Sequence, residues 1–213
     1  MSTNIKICGI TSLGDALAAL DAGADYLGLI FAEGSPRRVE EAAAQEIISG
    51  TEGRAKVVGV FKDQEFDTVA ALAERLALDF VQCHGAESID YVRRMPTRVI
   101  RTIELNGNTE ETASTIDRWK DKAAILLFDR PKSVSDPQWY QRAVEQLIAV
   151  KPQKVPFFFA GGLSAVNVGE VVAALDPFGV DVASSVESAP GKKDIGKMND
   201  FCNAVKQAIF AEQ

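Results

Sequence analysis

At 213 residues, 46% of them hydrophobic and 25% charged, the chain has the composition of a globular protein large enough to bury a core without disulfide or metal staples. Its net charge of −7 excludes the continuous basic face that a nucleic-acid backbone requires, although one phosphoryl group can still be held locally by backbone amides. Cys8, Cys83 and Cys202 are too scattered for a disulfide framework, the opening MSTNIKICGI lacks an export pattern, and no stretch approaches the roughly 20 apolar residues of a membrane span; the expectation is a cytoplasmic protein without a membrane partner.

The first apolar run, residues 5–8, reads as a strand ending at Cys8 and turning at Gly9. Ser12 then stands as an N-cap ahead of Leu13, Ala16, Leu17 and Leu20, which share one helix face; Asp15 imitates a capping box, and Gly23 supplies the stop. A second strand, 25–31, is followed by a longer loop, 32–38, of the kind that carries function. A third strand spans 56–61 with a helix over 67–76, and a fourth, 80–83, leads into His84, the only histidine. Strand five covers 98–103. Strand six, 124–128, is wholly apolar and stops at Asp129, with the next helix expected near Pro137. Strand seven, 157–160, ends in Gly161-Gly162, strand eight, 180–183, in Ser184-Ser185, and the last helix runs from 196 or 197 to 211. Eight strand–helix repeats in this length predict the α/β class and a single (β/α)8 TIM barrel spanning 1–213, with its active site at the C-terminal ends of the strands.

That geometry ranks the residues. Cys8, at a strand end just before a helix N-terminus, is placed for a lowered thiol pKa and for work as base or nucleophile; a buried structural cysteine is the alternative. Asp129 caps an apolar run, where desolvation raises a carboxyl pKa toward general-acid use; capping the next helix is its structural alternative. Gly161-Gly162 and Ser184-Ser185 occupy the positions after strands seven and eight where barrels build phosphate sites. Arg37 offers a planar fork for a carboxylate, and His84 a second acid–base group. One histidine gives no metal site, and GxSxG, Walker A and GxGxxG patterns are absent.

Taken together, Lys6-Ile7-Cys8-Gly9-Ile10-Thr11, Gly23-Ala24-Asp25, Ser35-Pro36-Arg37, Val58-Gly59-Val60-Phe61, Gln82-Cys83-His84-Gly85, Ala160-Gly161-Gly162-Leu163 and Val186-Glu187 with Pro190-Gly191 and Lys193-Asp194 resemble the phosphoribosylanthranilate isomerase family over nearly the whole chain. The resemblance implies a cofactor-free Amadori rearrangement of a small phosphorylated substrate in tryptophan biosynthesis, by a monomer or homodimer. It assigns the general base to Cys8 and the general acid to Asp129. It places Arg37 at the anthranilate carboxylate, His84 and Asp181 at the ribose, and Gly161, Gly162, Ser184 and Ser185 at the phosphate. Two departures stand out. The family's glycine-rich loop after the acid is replaced by residues 130–138, of which only the following Trp139 is kept, and its Ser-Gly-Val-Glu reads Ser184-Ser185-Val186-Glu187, which requires a residue-185 backbone that serine can adopt. A barrel that binds a phosphorylated ligand or partner without turnover, and another sugar-phosphate isomerase, are the competing readings.

Overall fold

The structure is a computed structural model that describes residues 3–136, 138–152 and 155–211, with Phe210 and Ala211 as backbone only. Eight parallel strands close a barrel in sequence order: β1 (Asn4–Cys8), β2 (Tyr26–Ile30), β3 (Lys56–Phe61), β4 (Phe80–Cys83), β5 (Arg98–Glu104), β6 (Ile125–Asp129), β7 (Phe157–Phe159) and β8 (Gly179–Val182), with β8 pairing back onto β1. Around them lie α1 (Leu13–Ala22), α2 (Glu41–Thr51), α3 (Phe66–Arg75), α4 (Ile89–Arg94), α5 (Thr109–Trp119), α6 (Trp139–Val150), α7 (Val168–Leu175) and α8 (Ile195–Ala211). The expected strands and the final helix therefore stand, and the expected helix start near Pro137 lies outside the described residues.

Strand alternation sorts the side chains into two cores. Ile5 and Ile7 on β1, Leu27 and Leu29 on β2 and Leu126 and Phe128 on β6 pack outward with the helices. Cys8, Val58, Val60, Ile100, Leu127 and Ala160 face inward and fill the barrel. Toward the N-terminal ends, Tyr26 meets the edge of Phe158 at 5.2 Å between ring centres and tilts against Phe80 at 5.9 Å, while Phe158 meets Phe178 at 5.5 Å, so aromatic rings close that floor.

Local devices fix the helix termini and the opposite end. Ser12 caps α1 as expected, accepting from the Asp15 N–H at 3.2 Å, and Gly23 ends the helix with φ 111°. Asp15 does not complete a capping box; its Oδ2 accepts instead from the Lys193 N–H at 3.1 Å. That contact holds a feature absent from the sequence reading, a small antiparallel pair of β9 (Glu187–Ala189) and β10 (Lys192–Lys193), entered from a 3-10 turn over Ser184–Val186. Ser185 sits inside that turn and is not among the residues with positive φ, so serine fits where the family pattern has glycine.

Candidate active site

A cavity of about 240 Å³ opens at the C-terminal ends of the strands. Cys8, Arg37, His84 and Asp129 line it, as do Gly161, Gly162, Asp181 and Ser184, so eight of the nine residues singled out from sequence meet in one place. Ser185 lies outside the lining and its hydroxyl donates to the Leu163 carbonyl.

Asp129 ends β6, whose apolar residues desolvate it and push its pKa up to about 6, against the opposing bond from the Arg130 N–H, which donates to Oδ1 at 2.7 Å. The carboxyl thus sits where it exchanges a proton near neutrality. His84 Nε2 stands 3.7 Å from Asp129 Oδ2, but burial, with Lys132 nearby, lowers the imidazole to about 4, so His84 is a neutral neighbour at pH 7.

Cys8 is buried at the end of β1, opposite Gly28 on β2. A Cβ on Gly28 would lie 2.7 Å from the Cys8 sulfur, so only glycine leaves room for it. The helix-dipole expectation for Cys8 needs correction. Four residues separate it from Leu13, the first residue of α1, and burial raises the thiol above its ordinary value, with Lys6 as the largest opposing influence. Lys6 is wholly buried inside the barrel, donates to Asp181 Oδ1 at 2.9 Å, and its charge opposes the rise of the Cys8 thiol. Cys83 and Cys202 are simply buried thiols, pushed up by burial to about 12 and about 11.

Arg37 is held by Glu187 in a bidentate pair, Nε and Nη2 each 2.8 Å from a carboxylate oxygen, which leaves Nη1 for a ligand. Glu187 also accepts from buried Lys193 Nζ at 3.0 Å, and the same ammonium donates to the carbonyls of Cys8 at 2.6 Å and Ala183 at 3.0 Å. Lys193 therefore ties the ends of β1 and β8 to the arginine clamp. Gln82, deep in the cavity, donates through Nε2 to Thr102 at 3.2 Å while its buried Oε1 has no partner. Among the described residues no cluster of three or more metal-ligating side chains occurs.

Sequence reasoning missed Lys6, Gln82, Glu187 and Lys193 as parts of the site. Lys6 had a signal: it shares strand parity with Cys8 inside an otherwise apolar run, so both face inward. Glu187 and Lys193 stood in motifs that carried the resemblance, but spacing could not show that they reach Arg37 and Cys8, 150 and 185 positions away.

The model of the N-(5'phosphoribosyl)anthranilate (PRA) isomerase family matches residues 5–204. The chain belongs to that family. It is 38% identical over 211 residues to an N-(5'-phosphoribosyl)anthranilate isomerase of Geotalea uraniireducens, covering 96% of this chain and 98% of the relative. The phosphoribosyl anthranilate isomerase of Thermotoga maritima has a similar structure, with a TM-score of 0.87 at 28% identity, over 96% of this chain and 99% of the other. A further phosphoribosyl anthranilate isomerase structure, in complex with reduced 1-(o-carboxyphenylamino)-1-deoxyribulose 5-phosphate, superposes with a TM-score of 0.81 at 28% identity over the same shares of the two chains. Family membership makes the chain an isomerase. No helix among the described residues is long and apolar enough to cross a membrane.

Proposed function

We propose that this isomerase converts N-(5'-phosphoribosyl)anthranilate into 1-(2-carboxyphenylamino)-1-deoxyribulose 5-phosphate in tryptophan biosynthesis, with Asp129 as general acid and Cys8 as general base. The observation that carries the proposal is the placement of two proton-transfer groups around one cavity: a carboxyl tuned to about 6 on β6 and a thiol beside a buried ammonium on β1.

Asp129 gives its proton to the furanose ring oxygen as the C1–O bond breaks, leaving a protonated Schiff base between C1 and the anthranilate nitrogen. The Cys8 thiolate then takes the C2 proton, and the electron pair of that C–H bond neutralises the iminium to give an enol-amine. Transfer of the C2 hydroxyl proton to solvent and of a solvent proton to C1 yields the ketone. Asp129 regains a proton from water and Cys8 releases one, so the sum is an isomerisation without cofactor.

The walls suit a substrate with two anionic ends. Arg37 follows β2 and Gly161-Gly162 follow β7, on well-separated parts of an eight-stranded ring. Arg37 Nη1 receives the anthranilate carboxylate, Asp181 and neutral His84 face the ribose hydroxyls, and Gly161, Gly162, Ser184 and the backbone of Ser185 receive the phosphate.

Loss of anthranilate-type fluorescence from freshly generated phosphoribosylanthranilate tests the reading. Wild-type protein turns the substrate over, and Cys8→Ala or Asp129→Asn each lowers kcat by roughly 10²- to 10⁴-fold, the usual worth of a positioned acid or base. Folded wild-type protein that binds the reduced product analogue tightly without turnover is instead a binding barrel.

A further inference from the structure

The segment that replaces the family's glycine-rich loop begins with Arg130, and the course of this side chain has a consequence for ligand binding. Its root is fixed: the Arg130 N–H is bonded to Asp129 Oδ1, and a Cβ on Gly161 would come within 2.6 Å of both Arg130 N and Cβ. Its guanidinium runs over the neighbouring glycine, with Nη1 and Cζ 3.7 and 3.9 Å from the position of a Gly162 Cβ. The side chain is half-buried in the cavity wall, yet among the described residues it has neither ion pair nor hydrogen-bond partner. Beneath it Gly161 and Gly162 adopt φ 88° and 81°, and neither N–H donates to another described residue; the Gly162 carbonyl is taken by Asn167 Nδ2 at 3.1 Å. An unpaired guanidinium and two amides without a partner among the described residues thus lie side by side on the cavity wall.

We infer that Arg130 is a phosphate-binding residue of this chain, closing a cationic fork over the Gly161–Gly162 turn so that the phosphoryl group is held between guanidinium and backbone donors. The chemistry favours this site over a carboxylate role. Unpaired backbone amides in a tight turn offer donors to an anion, and a guanidinium matches two oxygens of a tetrahedral phosphate at once. The carboxylate end is served from Arg37, beyond β2, four strands from β6 around the ring. Arg130 thereby supplies a charged contact at the position where a glycine loop has none. The inference deepens the isomerase reading and rests on it for the identity of the ligand, but not for its test.

Calorimetry with inorganic phosphate on the full chain provides that test without turnover. Wild-type protein binds phosphate, Arg130→Ala weakens the binding about tenfold, and Arg130→Lys, which keeps the charge but not the fork, falls between the two. Both variants keep the backbone N–H that holds Asp129. The substrate assay on the same proteins then shows the loss of kcat/KM carried by a raised KM. Phosphate binding by Arg130→Ala equal to wild type overturns the inference, as does an absence of phosphate binding by wild type. An equal loss in Lys132→Ala, the other cation of this loop on the cavity wall, overturns it as well, because a diffuse positive field would then account for the effect. If wild type binds phosphate through Arg130 but turns over no substrate, the isomerase reading fails and this inference stands.

Discussion

The two ends of the barrel are built on opposite principles. At the N-terminal end Tyr26, Phe80, Phe158 and Phe178 meet ring to ring, and their contribution comes chiefly from burial of apolar surface and from the ring contacts themselves. Toward the C-terminal end stand Cys8, Asp129 and the buried Lys6–Asp181 and Lys193–Glu187 pairs, each carrying a desolvation cost that packing elsewhere must offset. The floor holds the strand ends in place. The roof uses that rigidity to hold the Asp129 carboxyl where its proton is retained well above the ordinary carboxylate range.

The contrast predicts that substitutions at the roof separate activity from stability. Asp129→Asn shows the largest effect: turnover falls by roughly 10²- to 10⁴-fold while the protein becomes more stable above pH 6. Unfolded, this carboxyl titrates near the ordinary value of about 3.9, and folded, near 6. Between those values the native state retains a proton that the unfolded state has released, so wild-type stability declines as pH rises from about 4 to 6 and stays lowered above. Asparagine carries no such penalty, and urea unfolding at pH 4 and pH 8 should show the variant gaining on wild type by on the order of 2–3 kcal/mol across that window.

At the floor, Phe158→Ala should cost about 3–5 kcal/mol in the same unfolding experiment, with the KM of the folded fraction unmoved. An equal rise in KM would mean that the floor also shapes the site. Lys6→Met sharpens the contrast further. Removing the cation that most strongly favours the Cys8 thiolate should slow iodoacetamide alkylation of Cys8 about tenfold at fixed pH, since the thiolate is the reacting form. Pairing it with Asp181→Asn removes the stranded carboxylate and keeps the readout free of misfolding. The smallest effect belongs to Glu187→Gln, which frees one side of the Arg37 fork and should raise KM by roughly three- to tenfold through lost preorganisation.

Much of this contrast was written in local sequence. Strand β6 is apolar up to Asp129 because a parallel strand is buried on both faces, so its end and its chemistry are visible in one short window. The same reasoning located Cys8 and the Gly161–Gly162 turn at strand ends and Arg37 in the long loop after β2. What local sequence did not display is the wiring between them. Lys193 reaches Cys8 and Glu187 reaches Arg37 only because β8 closes onto β1, a long-range event that no spacing encodes. The thiol was likewise misjudged from proximity to α1, because in the folded chain burial and Lys6 outweigh a dipole four residues away.

The central claim, that Asp129 acts as a proton donor tuned by its apolar strand, is tested most directly by the ratio of kcat/KM for wild type to that for Asp129→Asn across about pH 5 to 8. Titration of Cys8 and of the substrate phosphate affects both proteins and cancels, so the ratio follows the protonated fraction of Asp129. It should be constant below about pH 6 and fall tenfold per pH unit above. A ratio that is flat across the whole range would show that the Asp129 proton is not used in the reaction.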